Sequence, residues 1–448
     1  MTRHADLSAE NWPSLVRAFS SEPGLCVFDV PNSTTSAAPI QLLTARPSRT
    51  TRLFESAQRS DLSLPDTWHQ PPGPEAAPRT TDHWSFWLPL RAGFLSYQDG
   101  ELELGSPPRN RNAGKLPAMR LAEYDWALLF DRARGTINLL VHPDCPADKQ
   151  ADIHHRIERA RHESPMASET AFTILDDFSA DHSRDDYLEH LSRIQDYIRS
   201  GDVYQVNYAQ RFAAHYKGQP IEAFLALHEA SPSPCSAYTD MGDAQILSLS
   251  PERFLRVQNG MVETRPIKGT RPRGNTPEED EAQKQTLLNS AKDRAENLMI
   301  VDLLRNDLGK CCEIGSVTAD PLFQLETFAN VHHLVSRVQG KLRADLTPLD
   351  LLLSAFPGGS ITGAPKRRAM EIIRELEPSP RGAYCGSFFH WTPGNGFDST
   401  IAIRTLVCHA GTIECWGGGG IVADSVPEEE YEESITKIRL FMDVLEGL

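Results

Sequence analysis

Arg265-Pro266-Ile267-Lys268-Gly269-Thr270-Arg271-Pro272-Arg273-Gly274 places one lysine between a rigid proline and a permissive glycine, among three arginines. Neighbouring positive charge and partial burial both disfavour an ammonium ion, so a lysine in such surroundings keeps some free amine, the nucleophilic form. Lys268 is therefore the leading candidate for covalent chemistry. A basic surface turn would carry the same residues, since Pro and Gly punctuate turns everywhere.

Downstream, Thr276 is a candidate helix cap, with Pro277 at the first helical position and Glu278, Glu279, Asp280 and Glu281 suited to the positive end of the dipole. The pattern predicts one long helix reaching about Asp307, with Glu296 on it beside an apolar stretch. Upstream, Leu188, Leu191, Ile194, Tyr197 and Ile198 recur at helical spacing, Ser183 and Asp186 resemble a capping box, and Gly201 sits where that helix would stop. Val203 to Tyr208 then alternates as a half-buried strand does. The first 180 residues are less regular. A Pro-rich tract (Pro65, Pro71, Pro72, Pro74, Pro78) and a loop from Pro107 and Pro108 to Pro117 separate short apolar runs such as Ala127 to Phe130 and Ile137 to Val141. The expectation is an α+β protein with large sheets, divided into a subdomain over 1–180, its sheets interleaved with the rest, and a catalytic domain over 181–448.

At 448 residues the chain is long enough for a thick, layered core and a sizeable cleft. Its 40% hydrophobic and 24% charged content is that of an ordinary globular protein, and no apolar run approaches the roughly 20 residues of a membrane span. A net charge of -16 argues against a nucleic-acid partner held by phosphate contacts. The first twenty residues lack the apolar centre of a secretory signal, and eight cysteines show neither a Cys-x-x-Cys pair nor zinc-finger spacing. A cytoplasmic protein with reduced thiols is expected, and no membrane partner.

Pro427 would open a C-terminal helix on which Glu430, Glu433 and Lys437 fall at i, i+3 and i+7, beside a stripe of Tyr431, Ile435, Ile438 and Met442. Carboxylates from this helix and Glu296 would suit Mg²⁺, which needs only one or two protein carboxylates; solvated surface charges would look the same. Gly417 to Gly420 offers close backbone approach and open amide donors for an anion. Gly358-Gly359-Ser360-Ile361-Thr362-Gly363-Ala364-Pro365-Lys366 lacks the ending of a P-loop but reads as a glycine-rich turn into a helix at Pro365. Arg404 interrupts the apolar strand Ile401 to Thr405 and should face a carboxylate of protein or ligand. His333 alone fits either a satisfied core position or a ligand contact.

Taken together, these segments resemble the chorismate-utilising enzymes. The likeness runs in unbroken order from residue 185 to residue 445, through Gly201-Asp202-Val203-Tyr204-Gln205-Val206-Asn207, Ser250-Pro251-Glu252-Arg253-Phe254, the Lys268 turn, Met299 to Asp307, Gly359 to Lys366, Ile401 to Thr405 and Gly417 to Ser425. It implies a large two-sheet β-sandwich core flanked by helices. Two positions choose a branch. Anthranilate synthases typically carry alanine where this chain has Lys268, and enzymes that add water carry a lysine where it has Gln205. The resemblance is thus to the branch that aminates chorismate at C4 on the way to 4-aminobenzoate and folate, with anthranilate formation as the alternative.

That resemblance implies that Lys268 adds to C2 of the ring while Glu252 acts as acid and base, and that ammonia then enters at C4. It assigns Mg²⁺ to Glu296 and Glu433 with Glu430 nearby, and substrate contacts to Gly269, Thr270, His333, Thr362, Gly363, Tyr384, Arg404, the Gly418, Gly419 and Gly420 amides, and Lys437. The chain has no glutaminase cysteine in a Gly-x-Cys-x-Gly setting, so a separate glutamine amidotransferase subunit is expected to supply ammonia. Relatives also hold tryptophan through a Leu-Leu-x-Ser-type contact. Here that place reads Cys26-Val27-Phe28-Asp29-Val30, without the serine.

Overall fold

The computed structural model describes residues 2–4, 7, 9–31, 40–53, 68, 87–101, 104, 116–162, 171–327, 331–394 and 396–448. The prolines of the Pro-rich tract (Pro65, Pro71, Pro72, Pro74, Pro78) and Pro107 and Pro108 lie outside the described residues. Two large sheets dominate, with antiparallel pairing throughout the described strands. The first has thirteen strands and runs from Thr2–His4 through Thr136–Val141, Trp126–Asp131, Ile40–Thr44, Cys26–Val30, Cys235–Asp240, Ala244–Ser250, Thr405–His409 and Thr412–Ile421 to Gln205–Lys217 and Ser179–Ala180. The second has nine, from Thr318–Ala319 by way of Arg253–Gln258, Gly396–Thr400 and Ser387–Thr392 to Leu90–Leu95, Met119–Tyr124 and Arg49–Leu53. Strands from before and after residue 180 therefore share both sheets.

Alternation along the strands sends one face of each sheet inward. Phe28 and Leu42 of the first sheet meet Phe94, Leu121 and Phe388 of the second in one buried cluster, so the core is a sandwich. Each such side chain, once buried, contributes about 1.5–3 kcal/mol. On the outer face of the larger sheet, Val27, Leu43, Leu128, Leu247 and Leu406 are covered by Leu15, Ile157, Phe224 and Phe441 from helices Trp12–Ala18, Ala147–His162, Pro220–Ala230 and Pro427–Glu446. Among the described residues, no helix is long and apolar enough to cross a membrane.

The helix expected after Gly358-to-Lys366 forms as Lys366–Leu376, and the one expected after Ser183 as Arg184–Arg199, closed by the full reciprocal capping box of Ser183 and Asp186. The single helix expected from Pro277 to Asp307 is instead two, Pro277–Leu288 and Ala291–Gly309. The chain breaks at Asn289, and Ser290 re-caps by accepting from Asp293 N, which ends one dipole and starts another. Arg404 is likewise not inside a strand. It sits at φ +51° just before Thr405–His409, where the chain turns sharply, so its side chain leaves the sheet altogether.

Candidate active site

Lys268 lies on Ile267–Pro272, an edge of a small three-stranded sheet completed by Val331–Val335 and Gln324–Thr327. The cations around it are not left to crowd it. Arg265 pairs with Glu326, Arg271 with Asp293 at 3.0 Å, and Arg273 with Asp280 at 2.6 Å. The sequence argument from neighbouring positive charge therefore fails, because each arginine is neutralised by its own carboxylate. What Lys268 faces is an acid: it lines, with Glu252, a cavity of about 180 Å³.

Glu252 follows Ala244–Ser250 and is tied back by Ile401 N donating to its carbonyl at 3.1 Å. Burial lifts its carboxyl above the ordinary glutamate value, opposed by Lys268 and by Ser360, whose Oγ donates to Glu252 Oε1 at 3.3 Å. The residue's remaining exposure is to the cavity it lines. A carboxyl whose pKa is raised, set opposite an amine, is the pairing suited to protonate a leaving hydroxyl while a nucleophile attacks.

The cavity floor is Gly417 to Gly420. These residues form the end of Thr412–Ile421 and pair with Gln205–Lys217, from Gln210 opposite Gly417 to Asn207 opposite Gly420. Three of the four meet a neighbour too close for a side chain. A Cβ on Gly417 would stand 1.9 Å from Ser434 O of the C-terminal helix, and one on Gly420 would stand 2.3 Å from Gln205 Nε2. At Gly419 the empty space faces Glu430 Oε2 at 3.2 Å, Lys437 Nζ at 3.5 Å and Glu433 Oε1 at 3.7 Å. Lys437 Nζ reaches Glu433 at 2.6 Å and donates to Gly418 O at 2.8 Å.

Glu430 accepts from Ser425 Oγ at 2.7 Å, yet burial and the neighbouring Glu433 still raise its carboxyl pKa. Lys292 is close enough to act on Glu430, and Glu296 follows Lys292 by one turn on Ala291–Gly309, on the same face. Among the described residues, no three ligating side chains are gathered into a preformed metal cluster. The donor set nonetheless fits a hard cation, because Glu430 and Glu433 crowd two carboxylates into a half-buried place, with Lys437 paired to Glu433 and Lys292 near Glu430.

Tyr384 lines the cavity and stacks on Trp416, ring centroids 6.0 Å apart. Arg404 lines it too. Burial alone lowers its guanidinium pKa, and of the two partners the sequence allowed, a carboxylate of protein or of ligand, the first is not found among the described residues. His333 stands opposite Thr270 in the small sheet, their Nδ1 and Oγ1 2.9 Å apart; burial and Arg404 depress the imidazole. Gly269, at φ +82°, lets the strand bulge between Ile267 and Thr270. Thr362 turns its hydroxyl to Gly358 O at 3.0 Å, and Gly363 pairs with Val206, so the cavity face of this turn is presented by Ser360 and Ile361.

Three residues were given no role of their own in the sequence reading. Ser360 steadies the acid, and Asn207 lines the cavity with its Nδ2 buried and without a partner. Arg381, 1% exposed, binds Glu377 at 2.6 Å and donates to Asn207 O at 2.6 Å and Ile361 O at 2.7 Å, fastening strand to turn beneath the cavity. The Glu377-to-Arg381 spacing of one helical turn was the available signal, although Arg381 lies beyond the helix end.

The sequence profile of the chorismate binding enzymes matches residues 28–443, and the chain belongs to that family. Within it, the chain is 49% identical over 363 residues to aminodeoxychorismate synthase component 1 of Escherichia coli K12, covering 80% of this chain and 78% of that protein. It is 41% identical over 333 residues to anthranilate synthase component 1 of Pseudomonas aeruginosa, covering 72% and 68%. The crystal structure of anthranilate synthase component I from Streptococcus pneumoniae superposes with a TM-score of 0.76 at 29% identity, covering 92% of this chain and 94% of that one.

Proposed function

We infer that this chain is the chorismate-aminating component, aminodeoxychorismate synthase component 1, forming 4-amino-4-deoxychorismate from chorismate and ammonia. The observation that carries this reading is Lys268 set across one small cavity from a carboxyl whose pKa is raised. The amine of Lys268 adds to C2, the two ring double bonds shift, and the C4 hydroxyl leaves as water with the proton of Glu252. Ammonia then attacks C4, the double bonds shift back, and the C2–N bond to Lys268 breaks. The C2–N bonding pair returns to Lys268, which leaves as the neutral amine with both its protons, and the ammonium formed on C4 gives one proton to the Glu252 carboxylate, restoring the acid.

Chorismate is a dianion, and Arg404, open toward the cavity, fits one of its carboxylates. Tyr384 and Trp416 offer an aromatic wall, and the bare glycine floor lets the ring lie close to the sheet. Glu433 and Glu430, with Glu296, would hold Mg²⁺, which supplies a point of positive charge for the other carboxylate. Gly269, Thr270, His333, Thr362, Gly363 and Lys437 form the surrounding shell in this reading. The component 1 in the names of the similar proteins supports a separate partner, which we assign as a glutamine amidotransferase delivering ammonia. Eight unpaired thiols suit a reducing, cytoplasmic setting.

The test is incubation of the isolated chain with chorismate, Mg²⁺ and ammonium at mildly alkaline pH. Aminodeoxychorismate is expected as product, and release of fluorescent anthranilate would overturn the assignment. Lys268→Ala should lose product formation by on the order of 10⁴-fold with its melting temperature retained. Unchanged turnover in that variant would refute the covalent role.

A further inference from the structure

Arg52 and Arg120 stand directly opposite each other where Arg49–Leu53 pairs with Met119–Tyr124. Like charges in that relation repel. Arg120 is 2% exposed; its Nη2 meets the Tyr124 hydroxyl at 3.4 Å, its Nη1 meets Cys26 Sγ at 3.9 Å, and its Nε has no partner. Burial lifts the Tyr124 phenol far above its usual range, so that hydroxyl is neutral and brings no counter-charge. Asp240, a carboxylate at the same end of the sandwich, is already engaged by the amides of Gly24 and Gly242 and by Gln245 Nε2. Neither arginine has an ion-pair partner among the described residues, and a cation buried without one is costly.

Both arginines line a recess of about 390 Å³ with Pro23, Gly24, Pro47 and Thr50, and it shares no lining residue with the Lys268 cavity. Thr50 is two residues from Arg52 and so lies on the same face of the strand, adding a hydroxyl donor. Gly24, at φ +68°, keeps the buried guanidinium accessible, because a Cβ there would stand 2.6 Å from Arg120 Nη2. We propose that this recess is a second anion site, which takes the phosphate group of a small phosphorylated molecule between Arg52 and Arg120. Two guanidiniums match a phosphate monoester, which carries nearly two negative charges at neutral pH, better than they match a carboxylate.

The test is thermal unfolding of the full chain in inorganic phosphate against sodium chloride and sodium acetate at equal ionic strength. Millimolar phosphate should raise Tm by about 2 °C or more, increasing with the logarithm of concentration. Arg52 is exposed, so Arg52→Ala should fold normally and lose the response, while Arg404→Ala should keep it. Arg52→Glu, which sets a carboxylate against Arg120, should melt higher without phosphate and no longer respond. An undiminished shift in Arg52→Ala, or its loss in Arg404→Ala, would overturn the site. An acetate shift as large as that of phosphate would overturn the assignment to phosphate.

Discussion

Two arginines a few ångströms from the same cavity are treated in opposite ways. Arg381, beneath the floor, is buried against Glu377 and spends its other donors on the carbonyls of Asn207 and Ile361. Arg404, in the wall, has its guanidinium pKa lowered by its surroundings and has no carboxylate in return among the described residues. The first is charge used as a fastener, complete within the protein. The second is charge left incomplete among the described residues, and a bound anion would complete it. Where a fold holds both kinds, the incomplete one marks the ligand.

Breaking the fastener should have the largest effect. Arg381→Met leaves the buried Glu377 without its guanidinium, and stability should fall by about 3–5 kcal/mol in urea unfolding, whereas Arg381→Met combined with Glu377→Gln should recover part of the loss. Glu252→Gln should lower turnover by about 10²–10³-fold while stabilising the fold. Because burial raises the folded pKa of Glu252 above the ordinary 4.5, its contribution to stability is present below that value and is lost as pH rises through the folded pKa. The Tm advantage of the Gln variant should therefore widen from pH 5 to pH 8. Arg404→Ala should leave Tm within a few degrees and raise KM for chorismate by about 10–100-fold, the cost of one charge-assisted contact. Smallest is Ser360→Ala. It removes a donor from the carboxylate form of Glu252, so the alkaline limb of kcat/KM should move to higher pH while the maximum changes by less than about tenfold.

The parts legible in the sequence were those that local chemistry determines. Ser183 with Asp186, Pro427, and the turn leading to Lys366 each announce a helix start, and each helix forms there. The break at Asn289 was also legible, as Ser290 and Asp293 repeat the cap spacing, but the acidic run after Pro277 drew the pattern into one helix. Arg404 was misplaced because φ +51° for a non-glycine is imposed by the fold around it. Ser360 and Asn207 were invisible for a related reason: a hydroxyl and an amide have no character until a distant strand or acid is brought beside them. The glycine floor was noticed, but its cause was hidden. Only the helix from Pro427 explains why Gly417 can carry no side chain.

The interleaving of strands has a consequence for synthesis. Ala244–Ser250 waits for Thr405–His409, and six of the nine strands of the second sheet are translated in between. A nascent chain of this protein therefore carries an open, apolar sheet edge until its last helices emerge, a hazard for aggregation that grows with every pause on the ribosome.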